Sequence, residues 1–298
     1  MITQRIYKKL AKRAFRKINA DSSKNVEFFE NLIQNGFCKI GIGSGGGVES
    51  SGEQGVFALL KQHKPPYCIF DVGANRGKYL DLIVESLKDS QSKNLNKDWG
   101  GESTNPSRIM LDSTQIHCFE PSIHTFRLLQ DSYLKNHSQY KNIFLNNVGL
   151  GAKNAIATLH YDAKGSGLAS LTKRRLEHFN IDFNQSEEVK ITTLDEYCKS
   201  HNITHIHLLK MDVEGHELDI LHGAKDMFAQ NAIDIATFEF GGCNIDTRTF
   251  FQDFWYFFKE QKMQLYRILP NGTLHKIPAY KELYEQFTTT NFVAIKER

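Results

Sequence analysis

The sequence predicts an α/β fold, an open and mostly parallel sheet with helices on both faces, and three observations predict it. From Tyr67 onward, apolar runs of strand length alternate with segments of helical character, the order that builds parallel strands joined by crossovers. The first run, Tyr67-Cys-Ile-Phe70, leads into Asp71-Val-Gly73-Ala-Asn75-Arg-Gly77, an acid and a glycine turn that opens a helix. Two later runs end in acids, Glu120 and Asp212, which puts polar groups at one edge of the sheet, where open α/β sheets bind ligands.

In chain order, residues 1–35 read as helical, followed by a glycine-rich link at 38–47. Gly41-x-Gly43-x-x-Gly46 matches the dinucleotide pattern literally. Small and polar residues separate it from the short helix at 53–61, however, so no helix N-terminus faces those glycines, and it reads as a flexible loop over a ligand cleft. Then come strand 67–72, helix 78–87, strand 115–119, helix 123–134 and strand 143–148. Strands 155–161 and 188–192 flank a loop at 165–171. Helix 194–200, strand 205–211, helix 214–229, strand 233–240, helix 247–261 and strands 264–269 and 292–296 complete the reading. Segment 89–113 is polar and aperiodic, a long surface insertion. The division that results is an attachment at 1–52 and one principal domain at 53–298.

The 298 residues can bury one large core, and no run approaches the ~18 apolar residues of a membrane span. Five cysteines without a C-x-x-C pair argue against a disulfide framework and for a reducing, cytoplasmic compartment. The net charge of +3 is uneven: seven cations precede the first acid, Asp21, so the remainder is net −4. A slightly acidic body does not suit a dedicated nucleic-acid binder. Residues 1–18 form a basic amphipathic pattern with Ile2, Ile6, Leu10, Ala14 and Ile18 four apart. Peripheral contact with an anionic membrane or a partner, an organellar transit peptide and an ordinary terminal helix with a solvated basic face are the readings open there.

The glycines of the 71–77 turn let a backbone approach a ligand closely, and the helix behind them offers unpaired N–H groups. The third glycine of a pyrophosphate turn is missing. Glu120, one strand away, can accept from the two hydroxyls of a ribose, or else serve as a helix cap. A ribose without a pyrophosphate cradle points to S-adenosylmethionine over NAD. Asp212-Val-Glu214-Gly-His216-Glu217 sits at the same edge. Methyl transfer to a hydroxyl needs a base, and Asp212, Glu214 and His216 are the catalytic candidates. Glu214 and Glu217 also suit a helix dipole, and His216 an exposed helix position. Glu239, a charge ending an apolar strand, reads as site wall, with Arg248 as its partner and a role toward the acceptor substrate. His205 and His207 share a strand face, but Leu209 and Met211 continue it without a third ligand, so the histidines read as satisfied or exposed; no metal is expected, and a divalent cation held by Asp212 with Glu239 is the alternative. The aromatic run 250–258 reads as core.

These pieces, with Phe119-Glu-Pro-Ser122, Asn147-Val-Gly-Leu150, Gly165-Ser-Gly-Leu-Ala-Ser-Leu171, Thr193-Leu-Asp195, Leu209-Lys-Met-Asp-Val-Glu-Gly-His-Glu217 and Phe238-Glu-Phe-Gly-Gly242, resemble the FkbM-type methyltransferases. The resemblance runs from about residue 53 to the end of the chain. It implies a Rossmann-like class I sandwich with a mostly parallel seven-stranded sheet, and S-adenosylmethionine as cofactor. It implies further that Asp71, Gly73, Asn75, Gly77 and Glu120 hold that cofactor and that Asn147 or Val148 flanks its adenine. The implied activity is O-methylation of glycan or secondary-metabolite hydroxyls. Three competing readings stand beside it. They are a NAD-dependent oxidoreductase, an RNA ribose 2′-O-methyltransferase using Lys78, Asp212, Lys225 and Glu239, and a non-catalytic scaffold in glycan assembly.

Overall fold

The structure is a computed structural model that describes residues 23–47, 50–88 and 111–297. The basic segment 1–18 and nearly all of the 89–113 insertion lie outside the described residues.

Helix α1 (Ser23–Lys39) buries none of its side chains, and α2 (Gly55–Leu60) leads to the sheet. Strand β1 (Cys68–Val72), α3 (Lys78–Lys88), β2 (Gln115–Phe119), α4 (Ile123–Asn136) and β3 (Ile143–Asn146) follow the predicted alternation. Next come β4 (Gly149–Leu150), β5 (Ala155–Tyr161) and β6 (Gln185–Thr192). Helix α5 (Leu194–Ser200), β7 (Ile206–Met211), α6 (Glu217–His222), α7 (Lys225–Ala229) and β8 (Ile233–Phe240) continue the chain. Short α8 (Cys243–Thr247), α9 (Phe251–Glu260), β9 (Met263–Ile268), β10 (Leu274–Lys276) and β11 (Thr290–Lys296) close it.

The main sheet runs β10-β9-β11-β8-β7-β1-β2-β3. Strands from β8 to β3 are parallel, and the pairings of β11 with β8 and β9, and of β9 with β10, are antiparallel. The expected seven strands are therefore eight, in a mixed sheet. The extra one, β10, is a three-residue hairpin arm with a single apolar residue, too short to stand out as a strand. Strand order reverses between β1 and β7, which opens a crevice beyond their carboxyl ends.

Strands alternate side chains between two core layers. Phe70, Leu209 and Ala236 face α5, α6, α7 and α9, while Ile69, Leu208 and Ile235 face α2, α3 and α4. Burial on both faces is why these strands read as continuous apolar runs. The aromatic run is core, as its spacing suggests: Phe251, Phe254 and Phe258 are fully buried, and Phe254 stacks on Phe238 at 4.5 Å.

Helix α1 runs on to Lys39 and β6 starts at Gln185, beyond the bounds read from the sequence, and three further boundaries differ in ways that shape the site. The 143–148 strand stops at Asn146, and Gly149–Leu150 joins β6 and β5 in a separate three-stranded sheet. The 214–229 helix begins only at Glu217, because Glu214 (φ +54) and Gly215 (φ +101) are left-handed, and it breaks at Gly223. A Cβ on Gly223 would lie 2.1 Å from the Gly151 carbonyl oxygen. Asp195 caps α7 from a distance, its carboxylate accepting from the N–H groups of Asp226 and Met227. The 247–261 helix is interrupted by Arg248 (φ +59). All five cysteines are free. Among the described residues, no helix is long and apolar enough to cross a membrane.

Candidate active site

At the end of β1 the chain turns at Gly73 (φ +80), where a Cβ would sit 1.8 Å from the Asp212 carbonyl oxygen. Only glycine lets the ends of β1 and β7 touch. The N–H groups of Gly73 and Ala74 both donate to the Phe119 carbonyl, and Asn75 (φ +48) donates its N–H to Glu120 Oε2 at 3.1 Å. Gly77 (φ +87) hands the turn to α3, and a Cβ there would lie 3.0 Å from the Leu129 side chain. The turn is thus built from backbone geometry and tied to β2.

Asp71 lies beneath this turn and lines neither of the cavities described below; it is fully buried 3.2 Å from Lys210 Nζ, its register partner on β7. Lys210 also donates to the Gly73 carbonyl, stands 3.5 Å from Asp212 and lies over the Tyr79 ring. Burial pushes the Asp71 carboxyl up and Lys210 pulls it back. Burial also works against the Lys210 charge, but Asp71, Asp212 and Glu53 hold its pKa above the usual lysine range. The pair braces the turn from below.

Glu120 is buried, with Oε1 accepting from Ser122 N at 2.9 Å and Oε2 from Asn75 N. Each oxygen keeps a second lone pair. Burial lifts the carboxyl to about 7 despite those two N–H donors. The helix cap is not Glu120 but Ser122, whose hydroxyl accepts from Thr125 N. Glu120 walls a small cavity of about 70 Å³ together with Gly73, Asn75, Leu150 and His216, under a cover made by the 165–171 loop. That cover is tied down at its two ends: Arg76 donates to the Gly165 carbonyl, while Ser170 donates to the Glu214 carbonyl and bridges to His160. Asn147 is exposed and donates to the carbonyls of Glu120 and Pro121, and Val148 packs against the core. Neither lines the cavity; Gly149 and Leu150 beside them do.

A second cavity, about 1160 Å³, adjoins the first, and Gly167, Asp212 and Glu214 line both. Its walls bring together Glu53, Lys78, Arg174, Glu239, Arg248 and Asn291. Arg174 reaches Glu214 at 2.5 Å and Asp246 at 3.8 Å. Burial and neighbouring Asp212 raise Glu214 to about 8, with Arg174 opposing. Glu239 is pushed well above the carboxylate range by burial and by Asp212, Glu214, Glu217 and Glu53. Among the described residues no cation lies within 4 Å of Glu239, so the expected Arg248 partnership is absent although both line the cavity. Buried Glu217 staples the loop, accepting from Val213 N at 2.9 Å and Gly215 N at 3.4 Å. His216 lines the small cavity with both ring nitrogens engaged, Nδ1 with Asp219 at 2.7 Å and Nε2 with the Thr172 hydroxyl at 3.0 Å. Lys225 is exposed on α7 and lines neither cavity, so the Lys78, Asp212, Lys225 and Glu239 set is not assembled. Gly45 to Gly47 of the early glycine link line the large cavity, Gly45 donating to the Thr289 carbonyl.

The sequence model described as the methyltransferase FkbM domain matches residues 71–265. The chain belongs to the FkbM methyltransferase family. The small cavity lies wholly within the matched FkbM span, whereas Gly45 to Gly47, Glu53 and the 287–291 segment of the large cavity lie outside it. Among solved structures, the chain is similar to the methyltransferase FkbM from Methylobacillus flagellatus KT, at 13% identity and TM-score 0.40. That match covers 91% of this chain and 59% of the other, so the chain spans less than two thirds of that relative. It is also similar to a precorrin-6y C5,15-methyltransferase from Geobacter metallireducens GS-15, at 9% identity, TM-score 0.38, and coverage of 82% and 88%. No curated protein matches the chain in sequence.

Proposed function

We propose that this FkbM-family protein is an S-adenosylmethionine-dependent O-methyltransferase that methylates a hydroxyl of a carbohydrate, glycan or secondary metabolite. The observation that carries the reading is the junction at Asp212. A small cavity walled by a buried carboxylate meets there a large cavity lined by charged and polar groups.

The residues present fit the cofactor. Glu120 keeps acceptor capacity for a ribose diol, and Gly73 brings no side chain to the cavity wall beside Asn75, whereas Gly77 lines neither cavity and serves the turn. A cavity of about 70 Å³ is well below the ~300 Å³ that a drug-sized ligand fills, so this reading requires the 165–171 cover to shift when the cofactor binds. When bound, the cofactor supplies an electrophilic methyl group. The protein positions the acceptor oxygen and takes its proton. Asp212 is the best-placed base, since its half-exposed carboxylate stands where the two cavities join. His216 is held by Asp219 and Thr172, and Glu214 by Arg174, which suits positioning roles. Glu239 and Arg248 face the acceptor, whose many hydroxyls would suit this polar wall. Asp71 and Asn147 act on the cofactor indirectly, through the turn and through the Glu120 backbone. A cytoplasmic enzyme with residues 1–18 resting on an anionic membrane completes the proposal, and loss of vesicle binding on deleting 1–18 tests that part.

Calorimetry with S-adenosylmethionine tests the reading. Micromolar-range binding by the wild type that Glu120→Ala abolishes is expected; absence of binding by the wild type would remove the cofactor assignment.

A further inference from the structure

At the opposite end of the sheet from both cavities, three histidines surround one buried carboxylate. His205 precedes β7 and His207 lies within it, while Asp234 is the second residue of β8 and His63 belongs to the link between α2 and β1. Asp234 Oδ2 is 2.7 Å from His205 Nε2 and 3.1 Å from His63 Nδ1. The rings of His205 and His207 meet edge to face at 4.7 Å. One donor atom from each of His205, His207 and Asp234 lies within 4.8 Å of the other two. Along β7 the histidine face continues with Leu209 and Met211. The third donor comes instead from the neighbouring strand, which a reading along one strand does not reveal. Five residue steps along the strand, roughly 16 Å, separate His207 from Asp212, and nothing in the proposed methyl transfer uses this cluster.

We propose that His205, His207 and Asp234 bind a divalent transition-metal ion of the zinc and cobalt class, with water completing the coordination and His63 holding the carboxylate from outside. Two imidazoles and one carboxylate favour such ions over magnesium or calcium, which take all-oxygen sites. Metal–ligand bonds of about 2.0–2.2 Å in tetrahedral geometry place neighbouring donor atoms about 3.3 Å apart. The 2.7 Å contact between His205 and Asp234 therefore opens by about half an ångström, within reach of side-chain rotation. A ligating carboxylate is usually hydrogen-bonded by an outer partner, the position His63 already occupies. His207 Nδ1 accepts the Cys68 N–H at 3.0 Å. Ligation through this ring releases that bond, because a metal on one ring nitrogen leaves the other protonated. The cost is one partly buried hydrogen bond, small beside a metal–nitrogen bond, and it gives the site a second signature at the Cys68 amide.

The test uses the untagged full chain, stripped with chelator and titrated with Co²⁺. The expected result is one equivalent bound, with the intense visible bands of a low-coordinate site, displaced by Zn²⁺. His207→Ala or Asp234→Asn should remove the bands, and His63→Ala should weaken binding about 10–100-fold. If these variants fold poorly, two-dimensional NMR of the wild type decides. Zn²⁺ should shift the His205 and His207 ring signals and the Cys68 amide while leaving His216 in place. Absence of saturable binding, or binding that persists in His207→Ala and Asp234→Asn, or shifts confined to other residues, would overturn the proposal. Each readout is independent of methyl transfer.

Discussion

The two cavities that meet at Asp212 are held in different ways. Around the small one, the groups that fix the shape are mostly backbone: glycines at positive φ, N–H groups of Asn75 and Ser122 on Glu120, and carbonyls of Phe119 and Asp212. Around the large one, side chains carry the structure, with Arg174 clamping Glu214, Glu239 lacking a cation partner among the described residues, and walls drawn from both ends of the chain. Backbone hydrogen bonds are common to any sequence that can adopt the turn, so the first region depends less on the identity of its side chains than the second. The match to the family follows the same division, since the small cavity lies inside residues 71–265 and part of the large one does not.

The sharpest way to break this contrast is to make the same substitution in both regions. Gly73→Ala drives a Cβ into the Asp212 carbonyl at a left-handed φ. It should cost roughly 3 kcal/mol or more and abolish cofactor binding, as read by thermal unfolding and calorimetry. Gly46→Ala meets nothing within 4 Å and should change stability by less than about 0.5 kcal/mol. Next in size is Arg174→Ala. It strands the largely buried Glu214, which can take up a proton in partial relief, so a loss of about 2 kcal/mol is expected, with turnover falling and cofactor affinity unchanged. A further effect, spread over several groups, is in pH. Glu53, Glu120, Glu214, Glu217 and Glu239 all have folded pKa values raised above the ordinary 4.5 of the unfolded chain, and among the shifted carboxyls only that of Asp219 is lowered. These five glutamates hold more protons in the folded chain than in the unfolded one, so their contribution is fully present below 4.5 and fades as pH rises toward about 8, outweighing His117 and His207, whose lowered pKa values act the other way below about 6.5. Thermal midpoints should therefore fall from pH 5 to pH 8. Cofactor affinity should move the other way, weakening up to about tenfold per unit below pH 7 if a ribose requires ionised Glu120, and Glu120→Gln should flatten that dependence.

The strand and helix alternation, the glycine turn and the position of Glu120 at its side were legible because each is a local constraint on backbone or period. Asp71 shows where local reading stops. An acid at a strand end looks like a ligand group, yet strand parity sends it to the α2 and α3 layer with Ile69, opposite Phe70 and Val72. Lys210 has the same parity on β7, between Leu209 and Met211, and a charge inside so apolar a run is itself a signal that a buried partner exists. Which partner depends on register, which spacing along one strand does not encode. The large cavity was least legible for the same reason. Glu53, Arg174, Glu239 and Asn291 are far apart in the chain and converge only through sheet order and loop packing. Arg248 was a plausible partner for Glu239 by proximity in sequence, but the left-handed break at the end of α8 leaves it unpaired with that carboxylate.

The central claim is that cofactor binding belongs to the Glu120 half alone. Calorimetric titration of S-adenosylmethionine into wild type, Glu120→Gln and Glu239→Gln tests it most directly. The expected result is about 10–100-fold weaker binding for Glu120→Gln, the effect of removing one charge-assisted hydrogen bond, and affinity within about twofold of wild type for Glu239→Gln. Unchanged affinity in Glu120→Gln, or equal weakening in both variants, would contradict the account.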